Sequence, residues 1–152
     1  MTDEASTIPD RVANEETLFR AVANDLRFLP VDEQGIRRIS SMAFNDVARR
    51  PSVDRASLCP GGAIETRDRF RAGSGVLSLI AGEVRELSTT HGSTGRVYGV
   101  DVEPVPLTQN SAHAEIYGRP PFDTDKIFDR IKQALSRIAT LTLSPAGLDE
   151  FQ

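Results

Sequence analysis

AHAEIYGRPPFDTDKIFDRIKQALSRIATL, residues 112–141, changes its hydrophobic period halfway along. Ala112, Ala114 and Ile116 alternate with His113, Glu115 and Tyr117, the two-residue period of a strand with unlike faces. Gly118-Arg119-Pro120-Pro121 interrupts the run. Asp123 or Thr124 then offers an oxygen to cap a helix, and Ile127, Phe128, Ile131, Ala134, Leu135 and Ile138 recur at helical spacing up to about Leu141. One strand and one amphipathic helix, joined by a breaker, predict a helix lying across a sheet.

Working outward, the other segments read mainly as strands. Thr17–Val22 reads as a first strand and Val76–Ile80, the most apolar run, as a central one. Val97–Val102 alternates until Pro104 and Pro106. Arg37–Phe44 alternates with two mixed faces, as an edge strand or the floor of a polar cleft does, and Val53–Leu58 is a further short strand. Ala63–Ala72 suits a charged helix with Ile64 and Phe70 turned inward, stopped by Gly73 and Gly75; Ala81–Leu87 suits one or two helical turns. Ser88–Gly95 reads as an exposed loop. Strands outnumber helices without alternating with them, so the expected class is α+β: one domain with a mostly antiparallel or mixed sheet and a long C-terminal amphipathic helix packed on it. The expected boundaries are a mobile acidic tail at 1–14, the domain at 15–143 and a C-terminal tail at 144–152.

The totals agree with one soluble domain. At 152 residues, 39% hydrophobic and 26% charged, the chain can bury a core without disulfides or a structural metal. Its single cysteine, Cys59, excludes an intramolecular disulfide and a cysteine-rich zinc site, and a cytoplasmic location is expected. Met1–Asp10 lacks the basic start and apolar run of a secretory signal, and no apolar stretch approaches the roughly 20 residues of a membrane span. Net charge is −4, unevenly placed. Residues 37–100 hold ten Arg and six acids, whereas 1–36 and 101–152 hold eight acids each against three and five bases.

Polar residues capable of chemistry gather beside the strands. His113 is a candidate general base or acid, since imidazole titrates near neutrality, and Glu115 shares its face. Ser41 is the candidate nucleophile; Arg20, Arg38, Ser40 and Asp54 are candidate ligand-binding residues, through guanidinium, hydroxyl and carboxylate groups. A triad would need Ser41 or Ser52 with His113 and Asp54, none of them in a Gly-x-Ser-x-Gly elbow. Gly73-Ser74-Gly75 lacks the Lys-Ser/Thr of a phosphate loop. The scattered His91, His113 and Cys59 support no metal site.

Arg-Ile-Ser-Ser-Met-Ala-Phe at 38–44, Ser-Val-Asp at 52–54 and Asn-Ser-Ala-His-Ala at 110–114 resemble a family of small bacterial proteins of unknown function. That resemblance spans about residues 17–117 and implies that the three clusters form one site or one structural unit. A weaker similarity, through Leu18-Phe19-Arg20, Ser40 or Ser41, and Glu115, is to RES-type ADP-ribosyltransferase toxins, and implies an NAD site. The expected function is a cytoplasmic protein-binding or accessory module without a cofactor. The alternative is a nucleotide- or NAD-using enzyme, with Arg20 and Arg38 on phosphates. A third reading, nucleic-acid binding through the Arg-rich centre, lacks interleaved aromatic residues. No membrane partner is expected.

Overall fold

Among the described residues, seven strands form one antiparallel sheet, accompanied by three helices and two short 3-10 segments. The computed structural model describes residues 11–145. The strands are β1 (Thr17–Val22), β2 (Ser52–Arg55), β3 (Gly75–Ile80), β4 (Ser88–Thr90), β5 (Val97–Pro104), β6 (His113–Arg119) and β7 (Thr140–Leu143). The helices are α1 (Ala63–Phe70), α2 (Ala81–Arg85) and α3 (Asp125–Ile138). Spatial order is β4-β5-β6-β2-β1-β3-β7.

Register divides the side chains between two faces. Phe19 is opposite Asp54, and Asp54 is opposite His113, so these three share a face, which continues through Ser52 and Glu115 as a polar surface. Leu18, Arg20 and Val22 point the other way. That second face carries Val53, Val100, Val102, Ala114 and Ile116, all buried, and joins Phe44, Val84, Ile127, Phe128, Ile131 and Leu135 in one apolar cluster. The alternation in β5 and β6 is therefore the imprint of one wet and one dry face.

The Thr124 side chain accepts the Ile127 N–H at 3.2 Å and opens α3. A Thr124→Ala variant is expected to lose about 1 kcal/mol, read as a lower urea midpoint with an unchanged slope. Of the apolar stripe of α3, Ile127, Phe128, Ile131 and Leu135 are buried and Ala134 and Ile138 partly so, and Lys132 beside it is 8% exposed, donating to Asn45 Oδ1 at 2.9 Å.

Several segments differ from expectation. Residues 37–44 form no strand: Arg37 makes an isolated bridge to Val31, and Ser41–Phe44 is a 3-10 turn. The Ser40 hydroxyl accepts the Met42 N–H at 3.0 Å, a local bond that favours a turn over a ladder, and the turn drives Phe44 into the core. Residues 56–58 likewise leave β2 as a 3-10 turn. In α1, Ile64 and Phe70 are exposed and Thr66 is the buried residue, because Thr66 answers a buried carboxylate. β3 is sixth of the seven strands, and its outer partner β7 comes from residues expected to end the helix. Thr140-Leu141-Thr142-Leu143 alternates β-formers once Ala139 turns extended. Ser88–Thr90, expected as loop, pairs with β5. Within the expected tail Val12 is fully buried and Ala13 partly so; its first ten residues, and 146–152, lie outside the described part.

Candidate functional site: the parting of β1 and β2

β1 and β2 are in register only at Leu18–Arg55 and Phe19–Asp54, whereas β1 continues beside β3 as far as Val22. Beyond Phe19 the sheet splits. The chain enters β2 through a tight turn, in which Asp46 Oδ2 accepts the N–H groups of Ala48 and Arg50 and Arg49 takes a positive φ of 58°.

Arg20 spans the split. Its guanidinium donates to the carbonyl oxygens of Ala43 at 2.7 Å, Ser52 at 2.8 Å and Asn45 at 3.1 Å, and lies over the Phe44 ring at 5.7 Å. Burial lowers its pKa to about 10, opposed by the charge of Asp46, so it remains a cation at neutral pH. Arg20 thus ties the 3-10 turn, β1 and β2 together.

Above it opens a cavity of about 810 Å³. Phe19 to Ala23 line it in unbroken succession, which alternating side chains of one face cannot do; the edge of β1 is its wall. Phe28, Met42, Phe70 and Leu107 supply apolar surface, and the last three of them are exposed to solvent. The size and the mixture of apolar walls with a few convergent polar groups are those of a ligand site.

Asp54 is the polar centre, 6% exposed. Thr66 Oγ1 donates to it at 2.8 Å, Arg69 at 3.0 Å and Asn110 Nδ2 at 2.9 Å. Arg69 also donates to Glu65 at 3.1 Å and approaches Cys59 Sγ at 3.3 Å. Burial pushes the Cys59 thiol above its ordinary pKa. A buried carboxylate with three donors is a satisfied anchor, joining β2, α1 and the loop before β6.

The expected site residues divide accordingly. Asp54, Ser52, Asn110 and His113 come together, so two of the three quoted clusters are one unit. Arg38 is elsewhere: it pairs with Asp32 at 2.6 Å and is 61% exposed, and the arginine beside Asp54 is Arg69. Ser40 caps the 3-10 turn, and Ser41 begins that turn, which packs against α3 on the dry face, away from His113. Glu115 binds Arg50 at 2.6 Å rather than His113; Arg50 also contacts Glu103 and lies 5.0 Å from the centre of the Tyr117 ring. His113 Nδ1 is 2.8 Å from the Val105 carbonyl oxygen and Nε2 is 3.1 Å from Ser52 Oγ. The roles of Thr66 and Arg69 beside Asp54 went unpredicted, although their three-residue spacing on a helix puts them on one face.

The Arg-rich centre is largely paired. Arg49 meets Asp125, Arg50 meets Glu103 and Glu115, Arg55 meets Glu16, and Arg69 meets Asp54 and Glu65. Acids from both ends of the chain thus supply much of this pairing. Among the described residues there is no group of three or more His, Cys, Asp or Glu placed to hold a metal ion, and no helix is long and apolar enough to cross a membrane. Comparison with protein-family models, curated proteins and solved structures finds no match to the chain.

Proposed function

We propose that this chain is a protein-binding module, an accessory component of a multi-gene bacterial system acting in the cytoplasm, and that its partner enters the cavity as an extended segment. The observation that carries the reading is the edge of β1. From Arg20 to Val22 it has no strand on its β2 side among the described residues, and it faces a cavity rimmed by Met42, Phe70 and Leu107. An unpaired strand edge offers main-chain hydrogen bonds to an incoming strand, and adjacent apolar pockets select its side chains. Exposed Phe70, 52% accessible at the rim, suits an anchor for an apolar partner residue. Against the nucleotide alternative stands the engagement of Arg20 with three carbonyls, and against nucleic acid the pairing of the central arginines.

In a pull-down, the purified protein is expected to retain a product of a neighbouring gene, and the complex to slow amide hydrogen exchange in Arg20–Val22. Phe70→Asp is expected to weaken that complex at least about 10-fold. A protein that elutes alone from lysate containing all neighbouring products, with unchanged exchange in β1, overturns the reading.

A further inference from the structure

We propose that Ser52 and His113 form a nucleophile and general-base pair able to transfer an acyl group from an ester to water. The argument begins with the protons. His113 Nδ1 faces the Val105 carbonyl oxygen at 2.8 Å, and a carbonyl only accepts, so Nδ1 carries the hydrogen. In the neutral ring, Nε2 is then the bare nitrogen. It lies 3.1 Å from Ser52 Oγ, so the hydroxyl must donate to it. This is the polarity of a serine activated by a base, with the base oriented by a third group.

The third group is a main-chain carbonyl in place of a carboxylate. Val105 N–H also donates to the His113 carbonyl oxygen at 3.0 Å, so the residue that orients the imidazole is itself fixed to the backbone of β6. Asp54, two residues from Ser52, is occupied by Thr66, Arg69 and Asn110 and is not the orienting acid. Ser52 is held by Arg20 through its carbonyl oxygen, yet it is the exposed residue of β2 and is among the residues lining the cavity. The apolar surface of Phe28, Met42, Phe70 and Leu107 gives an aliphatic or aromatic acyl group somewhere to lie.

In the step, Ser52 Oγ bonds to the ester carbonyl carbon as its proton passes to His113 Nε2. The bond from that carbon to the alkoxy oxygen breaks, and the proton passes on to the leaving alcohol. Water then attacks the acyl-serine, gives its proton to Nε2, and a carboxylic acid leaves as Ser52 recovers its hydrogen. No electron donor or acceptor is required. The proposal goes beyond the protein-binding reading: it draws on the same apolar walls, but its test reads Ser52 and His113 and can fail while that reading stands.

The test uses the full chain with p-nitrophenyl esters of two to eight carbons and, separately, a fluorophosphonate probe. The expected results are hydrolysis above the buffer rate, one phosphonylated residue identified as Ser52 by peptide mass spectrometry, and loss of both in Ser52→Ala at an unchanged melting temperature. His113→Gln is expected to lower the rate roughly 100-fold or more. Hydrolysis no faster than buffer in the folded protein, equal rates in Ser52→Ala, or labelling at a residue other than Ser52 overturns the proposal.

Discussion

Phe44→Ala is expected to destabilise the protein by about 3–5 kcal/mol, the largest loss foreseen for one side chain. Phe44 is fully buried and stands at the end of the 3-10 turn packed against α3. Its ring also backs the Arg20 guanidinium at 5.7 Å. Truncation removes apolar contact and leaves a void beneath a partly buried cation, so two costs combine. The urea midpoint should fall with the slope unchanged, and the melting temperature should drop by roughly 10 °C. Phe44→Leu keeps most of the volume and should cost about 1–2 kcal/mol. A loss below about 1 kcal/mol for Phe44→Ala would mean that the turn collapses onto α3 without strain, and that Arg20 needs no aromatic support.

Glu16→Ala is the second large effect, at about 3 kcal/mol. Arg55 points to the dry face with its side chain 4% exposed, and both carboxylate oxygens of Glu16 meet it, at 3.1 and 3.0 Å. Ser57 Oγ donates to the same carboxylate at 2.8 Å, as does the Ala13 N–H. Removing the acid takes from a buried guanidinium the carboxylate that meets two of its nitrogens, which costs far more than losing a surface pair. Burial works to raise the Glu16 pKa; hydrogen bonds from Arg55, Ala13 and Ser57, with the charge of Arg55, outweigh it and bring the carboxyl below its ordinary range. A carboxyl lowered on folding stabilises the native state above its unfolded pKa, and that contribution disappears as pH falls through the folded value. The wild type should therefore lose an increment of stability below about pH 4 that Glu16→Gln lacks. Parallel acid-unfolding curves for the two proteins would remove Glu16 as the cause.

Much of the architecture was legible because strand and helix leave local marks. β1, β3, β5 and β6 stand where two-residue alternation or an apolar run placed them, and α3 begins at its expected cap. Misreadings came where alternation lacked an apolar face. Residues 37–44 alternate as well as any strand, but Ser40 offers its own turn bond and Phe44 gains more from burial than from a ladder. β7 was concealed because Leu141 also continues the helical stripe, and only its partner β3 decides between the two periods. In α1 the helical pattern was legible and its buried face was not, since Thr66 is drawn inward by Asp54 rather than by apolarity.

The candidate site was legible as residue types and illegible as contacts. Ser52-Val53-Asp54 and Asn110-Ser111-Ala112-His113 were marked as chemically rich, and they meet because β2 lies against β6. Arg38 and Asp54 were both marked as ligand-binding candidates by residue type, but Arg38 pairs with Asp32, and Arg69 reaches Asp54 from a helix whose position no spacing rule conveys.

From its amino acids alone this chain is an α+β domain with one wet and one dry sheet face, a capped C-terminal helix and no disulfide. Those properties follow from side-chain direction along a segment, which the segment's own backbone sets every two or 3.6 residues. The cavity, the neutralised Arg-rich centre and the Ser52–His113 pair, 61 residues apart in sequence, belong to the tertiary structure. Each depends on which strands become neighbours and where β1 and β2 part, and that order reflects packing and loop closure summed over the chain rather than any local period.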